Sequence, residues 1–499
     1  MFKRASRARR GAYAARSALL QGLESRLLMS GNVVAQLVNG SIQLTGDASG
    51  NSLVIDQVGL SATQYRVTAG DATTTINGQA APVIFSGVTG GLTANLGAGN
   101  DDFEIDSSIF QSSIAIASGD GNKSVTLDAV TINGDLSVQN GAGFHSFALI
   151  DGSSINRGHA SGRLTLSNGN GDSIALIDHA TIAGAMTITN MTGEDDFFFS
   201  FGSAGGGVVI SNGTGNSTTS LNHVSIVGAL IVTNGDGGNT FDFDFTSTTG
   251  AVIVTNGNGS VATEISNASI GSYLSVTNKV GPHAFSLGNT TILSTLSITN
   301  GNGDNGFGLN NLRVGALVIT NGDGQLAMRM DAMSVGGAFT MESGNGPKAI
   351  GIGTTNVTGR MLIENDNGAC GFSMDSSSVV GTFFLCNLDG GSGESVTNSR
   401  FGSIFSITNQ VGTDSVSLTG STVVGNATIN DGDGDSFVTV NSTTIGMQFA
   451  FISGHGFATV NVTNTSIGTD AFISVVPGSN AINIAPKQVK GHIFILKVV

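Results

Sequence analysis

Residues Val252 to Asp304 read VIVTNGNGSVATEISNASIGSYLSVTNKVGPHAFSLGNTTILSTLSITNGNGD, and three asparagines in them, Asn256, Asn278 and Asn300, stand 22 residues apart. Outward from these anchors the same spacing reaches Asn234, Asn212, Asn190 and Asn168 on one side and Asn365, Asn387 and Asn409 on the other, with Asn321 set 21 residues after Asn300. The register runs on through Leu96, Ser118, Asn140, Ser343, Asp431, Ser453 and Val475, with one six-residue insertion between Asn140 and Asn168, which makes 18 coils. A fixed period of this size marks a repeat architecture, in which one small unit stacks on the next.

Each coil carries three apolar pairs of period two. Around Ser118 they are Ile114/Ile116, Val125/Leu127 and Val130/Ile132; around Asn409 they are Phe405/Ile407, Val416/Leu418 and, more weakly, Ser421/Val423. Such alternation points one set of side chains inward and the intervening Ser, Thr or Asn outward, as in strands, and leaves no stretch with the 3.6-residue period of a helix. The expected fold is all-β: a single right-handed parallel β-helix, or β-solenoid, of about 18 coils with 22 residues and three short strands per coil. The hand follows from the preference of parallel crossovers. Seventeen intervals between those coils, at roughly 4.8 Å each, predict a rod about 80 Å long.

The anchor lies two residues after an inward apolar residue, so it faces inward too. Stacked coil on coil, Asn168, Asn190, Asn212, Asn234, Asn256, Asn278, Asn300, Asn321, Asn365, Asn387 and Asn409 are expected to hydrogen-bond to one another in a structural ladder. The glycines of the loop Asn300–Asp304 suit a positive φ. A second column, eleven residues after each anchor, holds Asn267, Asn289, Asn311, Ser376, Asn398, Ser442 and Asn464, and is expected to turn the next corner.

Composition agrees with a β-rich array: among 499 residues there are 74 glycines, no tryptophan, and only 11% charged residues. The net charge of −15 is unevenly spread, because residues 1–30 hold seven basic side chains against one acid, which leaves 13 basic and 34 acidic residues, near −21, for the rest. A body so acidic repels phosphate backbones and anionic membranes, which argues against nucleic-acid binding. No run of 18 apolar residues is present, so no transmembrane span is expected. The two cysteines, Cys370 and Cys386, fall at different phases of the coil, inward and outward, and are expected to stay unbonded.

Four segments are expected: 1–29, an export or targeting segment; 30–90, a β-rich N-terminal cap; 91–485, the parallel β-helix; and 486–499, a C-terminal edge strand guarded by Lys487, Lys490 and Lys497. Within the first, Leu23-Glu24-Ser25-Arg26-Leu27-Leu28-Met29-Ser30-Gly31 resembles the LEPRxLLSG segment near the N-terminus of many large planctomycete proteins thought to be exported, with Ser25 in place of the proline. The array itself resembles the β-strand-repeat proteins and parallel β-helix adhesins of bacterial surfaces. The resemblance implies a secreted or cell-surface, non-enzymatic structural or adhesion protein; it names no partner, and surface polysaccharide or other surface proteins are the candidates.

Two other classes compete. Parallel β-helices also serve as polysaccharide lyases and hydrolases, which need clustered outward carboxylates. Eight residues after the anchor lie Phe198, Ser220, Asp242 and Glu264 in consecutive coils, with Asp196 and Asp244 alongside. Asp242 and Glu264 are expected to be neighbours that share a proton or a cation, which makes this face the candidate ligand- or cation-binding surface. The loop Gly97–Phe103 resembles one nonapeptide of the RTX calcium-binding β-roll, GGxGxDxUx. The β-roll repeats every nine residues and this chain every 22, so its sites do not carry over coil by coil; the positions of the acids leave two local candidates for Ca²⁺, Asn100, Asp101 and Asp102 with Asp120, and Asp172 with Glu194, Asp195 and Asp196. No other cofactor is expected. In the corner column His179, Phe201, His223 and Phe245 replace the usual Asn or Ser, which suits either a stacking platform for sugar rings or aromatic packing at a corner.

Overall fold

The computed structural model describes residues 31–156, 162–476 and 480–497. The expected export segment and part of the insertion, with Arg157 and His159, lie outside the described residues. Those described contain no helix and form a parallel β-solenoid of about 18 turns. One coil is represented by the strands Leu230–Thr233, Asn239–Asp244 and Ser247–Thr248. Each pairs in parallel with its equivalent in the next coil, Leu230 with Val252, Asn239 with Val261 and Ser247 with Ser269, so three in-register sheets run along the rod.

The apolar pairs read from the sequence form the core: Leu230, Val232, Phe241 and Phe243 are all buried, and their equivalents above and below make one continuous apolar column. The 21-residue coil is absorbed between the third and first sheets. There Thr291–Asn300 and Arg313–Asn321 run through the corner as single strands, and their register slips between Ile292 and Thr295.

The corner column adopts the left-handed conformation, with φ of 52° at Asn267, 49° at Asn289 and 53° at Asn311. Asn tolerates this region better than other side chains, which explains its recurrence. At the opposite corner the glycine three residues after the anchor is obligatory for two reasons: Gly259 has φ +132°, and a Cβ there would stand 2.1 Å from the Gly237 carbonyl oxygen one coil below.

The asparagine ladder forms as expected. Nδ2 of each asparagine donates to Oδ1 of the next, from Asn140 through Asn168, Asn190, Asn212, Asn234, Asn256, Asn278 and Asn300 to Asn321, mostly at 2.7–2.9 Å. Ser343 interrupts it, and Asn321 turns its amide to the Gly322 carbonyl. A second ladder runs from Asn365 through Asn387 and Asn409 to Asp431.

The ends differ. At the N-terminal end Asn32–Val38 pairs antiparallel with Ser41–Thr45, and Gln64–Ala69 lies antiparallel between Ser52–Asp56 and Val83–Ser86. Reversed strands there replace the coil pattern. At the other end Ile493–Lys497 continues the first sheet on Ala471–Val475, and Ile493, Phe494, Ile495 and Leu496 are exposed.

Candidate functional site

The second sheet positions the acidic face. Register aligns Phe198, Ser220, Asp242 and Glu264 on four successive strands, all pointing outward, so Asp242 and Glu264 are cross-strand neighbours as the sequence implied. The Ser220 hydroxyl lies 3.4 Å from the Asp242 carboxylate. Asp196 belongs to a different row, aligned with Thr218 and Thr240. Asp244 sits at the strand end, where it accepts hydrogen bonds from Ser266 Oγ at 2.5 Å and Asn267 Nδ2 at 3.0 Å, both in the next coil. Asp178 and Asp375 make the same link, to Ser200 and Thr397.

The loop acids have a second use that spacing alone did not reveal. Asp120 accepts the backbone N–H of Ala142 at 2.8 Å, Asp172 that of Glu194 at 2.9 Å, Asp236 that of Asn258 at 2.7 Å, Asp323 that of Asn345 at 2.8 Å and Asp433 that of His455 at 2.8 Å. Each carboxylate braces the turn one coil above it. The backbone bonds hold the carboxyls of Asp236 and Asp433 below their usual range.

The expected calcium clusters are split by the direction of their side chains. Asp101 and Asp195, five residues after their anchors, point into the core, whereas Asp102, Asp120, Asp172, Glu194 and Asp196 lie outside it. Asp101 is ion-paired with Lys123 Nζ at 2.6 Å, both side chains being essentially inaccessible, and it also accepts from the backbone and side chain of Asn51. Asp195 accepts from Ser173 Oγ at 2.6 Å, and burial pushes its carboxyl up to about 6. The grouping of Asp101 with Asp102 and of Asp195 with Asp196 therefore needs correction, since consecutive strand residues face opposite sides of the sheet. Among the described residues no group of three or more His, Cys, Asp or Glu side chains is arranged to hold a metal ion.

That fifth position is a buried polar column which the pattern of apolar pairs concealed. Besides Asp101, Lys123 and Asp195 it contains His145, Asn239, His283, Asn305, Lys348 and Asp414, all buried. Burial lowers the pKa of His145 and His283, whose Nε2 atoms meet the carbonyls of Gly141 and Lys279, so both rings donate as neutral imidazoles. Near the second ladder three acids come together in the core. Glu394 accepts from Asn387 at 2.8 Å and burial pushes it up to about 8; Asp431 accepts from Asn409 and is pushed up to about 7; Asp414 is raised as well. One oxygen each of Glu394 and Asp431 lacks a hydrogen-bond partner. The signal that would have found them is parity within a strand: Glu394 and Asp414 each stand two residues before an inward apolar residue, Val396 and Val416, and Asp431 occupies the anchor position itself.

The aromatic corner column stacks. Ring centroids run 4.9 Å from His179 to Phe201, 5.0 Å on to His223 and 4.7 Å on to Phe245, with planes within about 20°. All four residues hold positive φ, from 46° to 54°. Ring faces are spent on one another, so solvent meets chiefly the edges of Phe201 and Phe245, each about 53% exposed. A sugar platform needs open faces, and this geometry favours corner packing.

Both cysteines are free, Cys370 buried with its thiol pushed up to about 12 and Cys386 half-buried. A shallow trough crosses the second sheet over Arg329, Asp331, Gly351, Ser373 and Asp375, beginning three coils beyond Glu264.

Comparison with protein-family models, with curated proteins and with solved structures returned no match. The architecture nonetheless defines the class: a tandem-repeat parallel β-solenoid with internal asparagine ladders. Among the described residues no helix is long and apolar enough to cross a membrane.

Proposed function

We propose that this chain is a non-enzymatic structural or adhesion-type β-solenoid, secreted or displayed at the cell surface, whose acidic second sheet makes weak, repeated contacts with cations or surface polysaccharide. The observation that carries the reading is the use of its carboxylates. Asp178, Asp244 and Asp375 bind side chains of the next coil, and Asp120, Asp172, Asp236, Asp323 and Asp433 bind its backbone. Acids that hold coil to coil serve the persistence of a rod. The exported planctomycete-type repeat proteins are the family the reading draws on, through Leu23 to Gly31.

A polysaccharide lyase or hydrolase is the second reading, favoured by the in-register pair Asp242 and Glu264. An RTX-like role would rest on the outward loop acids Asp102, Asp120, Asp172 and Glu194. One experiment separates these readings: incubate the purified chain with acidic and neutral polysaccharides, with and without Ca²⁺, beside an Asp242→Ala/Glu264→Ala variant. The expected result is retention on a polysaccharide without depolymerisation. Chain cleavage by the wild type that disappears in the variant would make the pair catalytic, and strict dependence of folding on Ca²⁺ would favour the RTX-like role.

A further inference from the structure

The first sheet carries an outward face on which eight successive coils repeat one chemistry. Immediately before the anchors stand Ser167, Thr189, Ser211, Thr233, Thr255, Thr277, Thr299 and Thr320, aligned strand to strand without a break. Two residues earlier on the same strands stand Thr165, Thr187, Val209, Ile231, Ile253, Ser275, Ser297 and Val318. All of these side chains are at least partly exposed. The face bears no charge, in a body with 34 acids and 13 bases, and it ends where Glu342 and Glu364 take over the same row. The second sheet, by contrast, carries Asp196, Asp242, Glu264 and Arg329 on its outer side.

None of the eight hydroxyls has a hydrogen-bond partner within the described residues. They stand at the strand spacing of roughly 4.8 Å, and the second rank lies roughly 6.6 Å away along the strand. Oxygens joined through one tetrahedral water, at O···O contacts of about 2.75 Å, are separated by about 4.5 Å. The spacing of adjacent hydroxyls thus fits one bridging water in near-tetrahedral geometry, and the rank matches a line of waters at close to the second-neighbour spacing of ice. The methyl groups of Thr, Val and Ile between the hydroxyls oblige neighbouring waters to bond to one another. The in-register stacking keeps the ranks aligned from coil to coil, and the absence of charge matches a neutral lattice and leaves no ion to disorder it.

We propose that this face, from Thr165 to Thr320, is an ice-binding surface. The ligand is crystalline water, a neutral hydroxyl lattice, and the site is the double rank of Ser/Thr and β-branched side chains. The assignment is independent of the acidic sheet and of the scaffold reading.

The test freezes a dilute solution of the full chain slowly onto a cold finger and measures the share of protein taken into the ice, together with thermal hysteresis. Three proteins are compared: the wild type, a Thr233→Lys/Thr255→Lys/Thr277→Lys variant, and a Ser286→Lys/Ser373→Lys/Ser395→Lys variant that adds the same charge to the second sheet. Circular dichroism confirms that each keeps its strand content, and Thr255→Tyr supplies a neutral steric block should the triple variant fail to fold. Uptake into ice by the wild type and the second-sheet variant, reduced at least tenfold in either first-sheet variant, is the expected result. Exclusion of the wild type from ice, or equal uptake by all variants, would overturn the proposal. Binding to crystalline cellulose or chitin that depends on the same threonines, without uptake into ice, would also overturn it and reassign the face to a polymer lattice.

Discussion

Ser343 is the single residue that divides the asparagine ladder. Its hydroxyl and the Oδ1 of Asn365, the first rung beyond it, are both buried without a partner. An amide ladder is directional, so each interruption strands an acceptor, and Asn140, the first rung of the longer ladder, shows the same orphaned Oδ1. Ser343→Asn should join the ladders, Asn321 donating to the new side chain and the new side chain to Asn365. A gain of about 1–2 kcal/mol is expected, read as a higher urea midpoint. Asn256→Ala works in the opposite sense. It strands Nδ2 of Asn234 and Oδ1 of Asn278 in the core and should cost about 2–4 kcal/mol.

At the scale of the element, the coil nearest the N-terminal cap depends on Lys123. Its ammonium meets Asp101 and the carbonyls of Gly97, Gly99 and Asp120, and so ties the second strand of one coil to the loop of the coil below. Replacing one partner of such a buried pair leaves the other charge uncompensated, so Lys123→Met should cost about 3–5 kcal/mol. Asp101→Asn added to it should recover most of the loss, because a neutral side chain remains that still faces Asn51. Thermal melts of the single and double variants, with local exchange of the amides between residues 97 and 128, will show whether the loss starts at this end. No recovery in the double variant would mean that Lys123 acts through packing of its alkyl chain.

At the scale of the whole molecule, the buried acids make stability depend on pH in an unusual direction. Asp195, Asp431 and Glu394 are pushed by burial to about 6, 7 and 8, above the ordinary carboxylate range. A group whose folded pKa is raised contributes stability that is complete below its unfolded pKa and declines as pH rises to the folded value. The window therefore opens near pH 4 and closes near pH 8, with a slope of up to roughly 1.4 kcal/mol per pH unit for each group. The braced surface acids act oppositely: Asp236, Asp375 and Asp433 are lowered, and their support is lost as pH falls below the ordinary carboxylate range. The rod should be most stable near pH 4–5 and should melt at a lower temperature at pH 8 than at pH 5. Glu394→Gln/Asp431→Asn should flatten that decline, and the second change also extends the ladder with a true amide. An unchanged pH profile in this variant would place the dependence elsewhere. Because each coil touches only its neighbours, the effect should appear first as local opening around residues 387–453.

Period and parity were legible in the amino-acid sequence. Twenty-two residues with three alternating pairs admit stacked strands, and the recurrence of asparagine at one phase implied the ladder, because an inward amide must find its partner in the coil above. Local chemistry also marked the corner at Asn267 and Asn289 and the register of Asp242 with Glu264. Tertiary structure alone decided what the remaining polar residues do. Asp120 and Asp172 looked like cation ligands because their loops are acidic, but the N–H that each binds lies 22 residues away and meets it only through stacking. Asp101 and Asp195 looked like their outward neighbours, although alternation sends them into the core, where Lys123 in one case and a raised pKa in the other make burial tolerable. The physical reason is common to all of these: a strand's own sequence states which side of the sheet each residue faces, whereas the partner that gives a buried or bracing group its role is supplied by another turn of the chain.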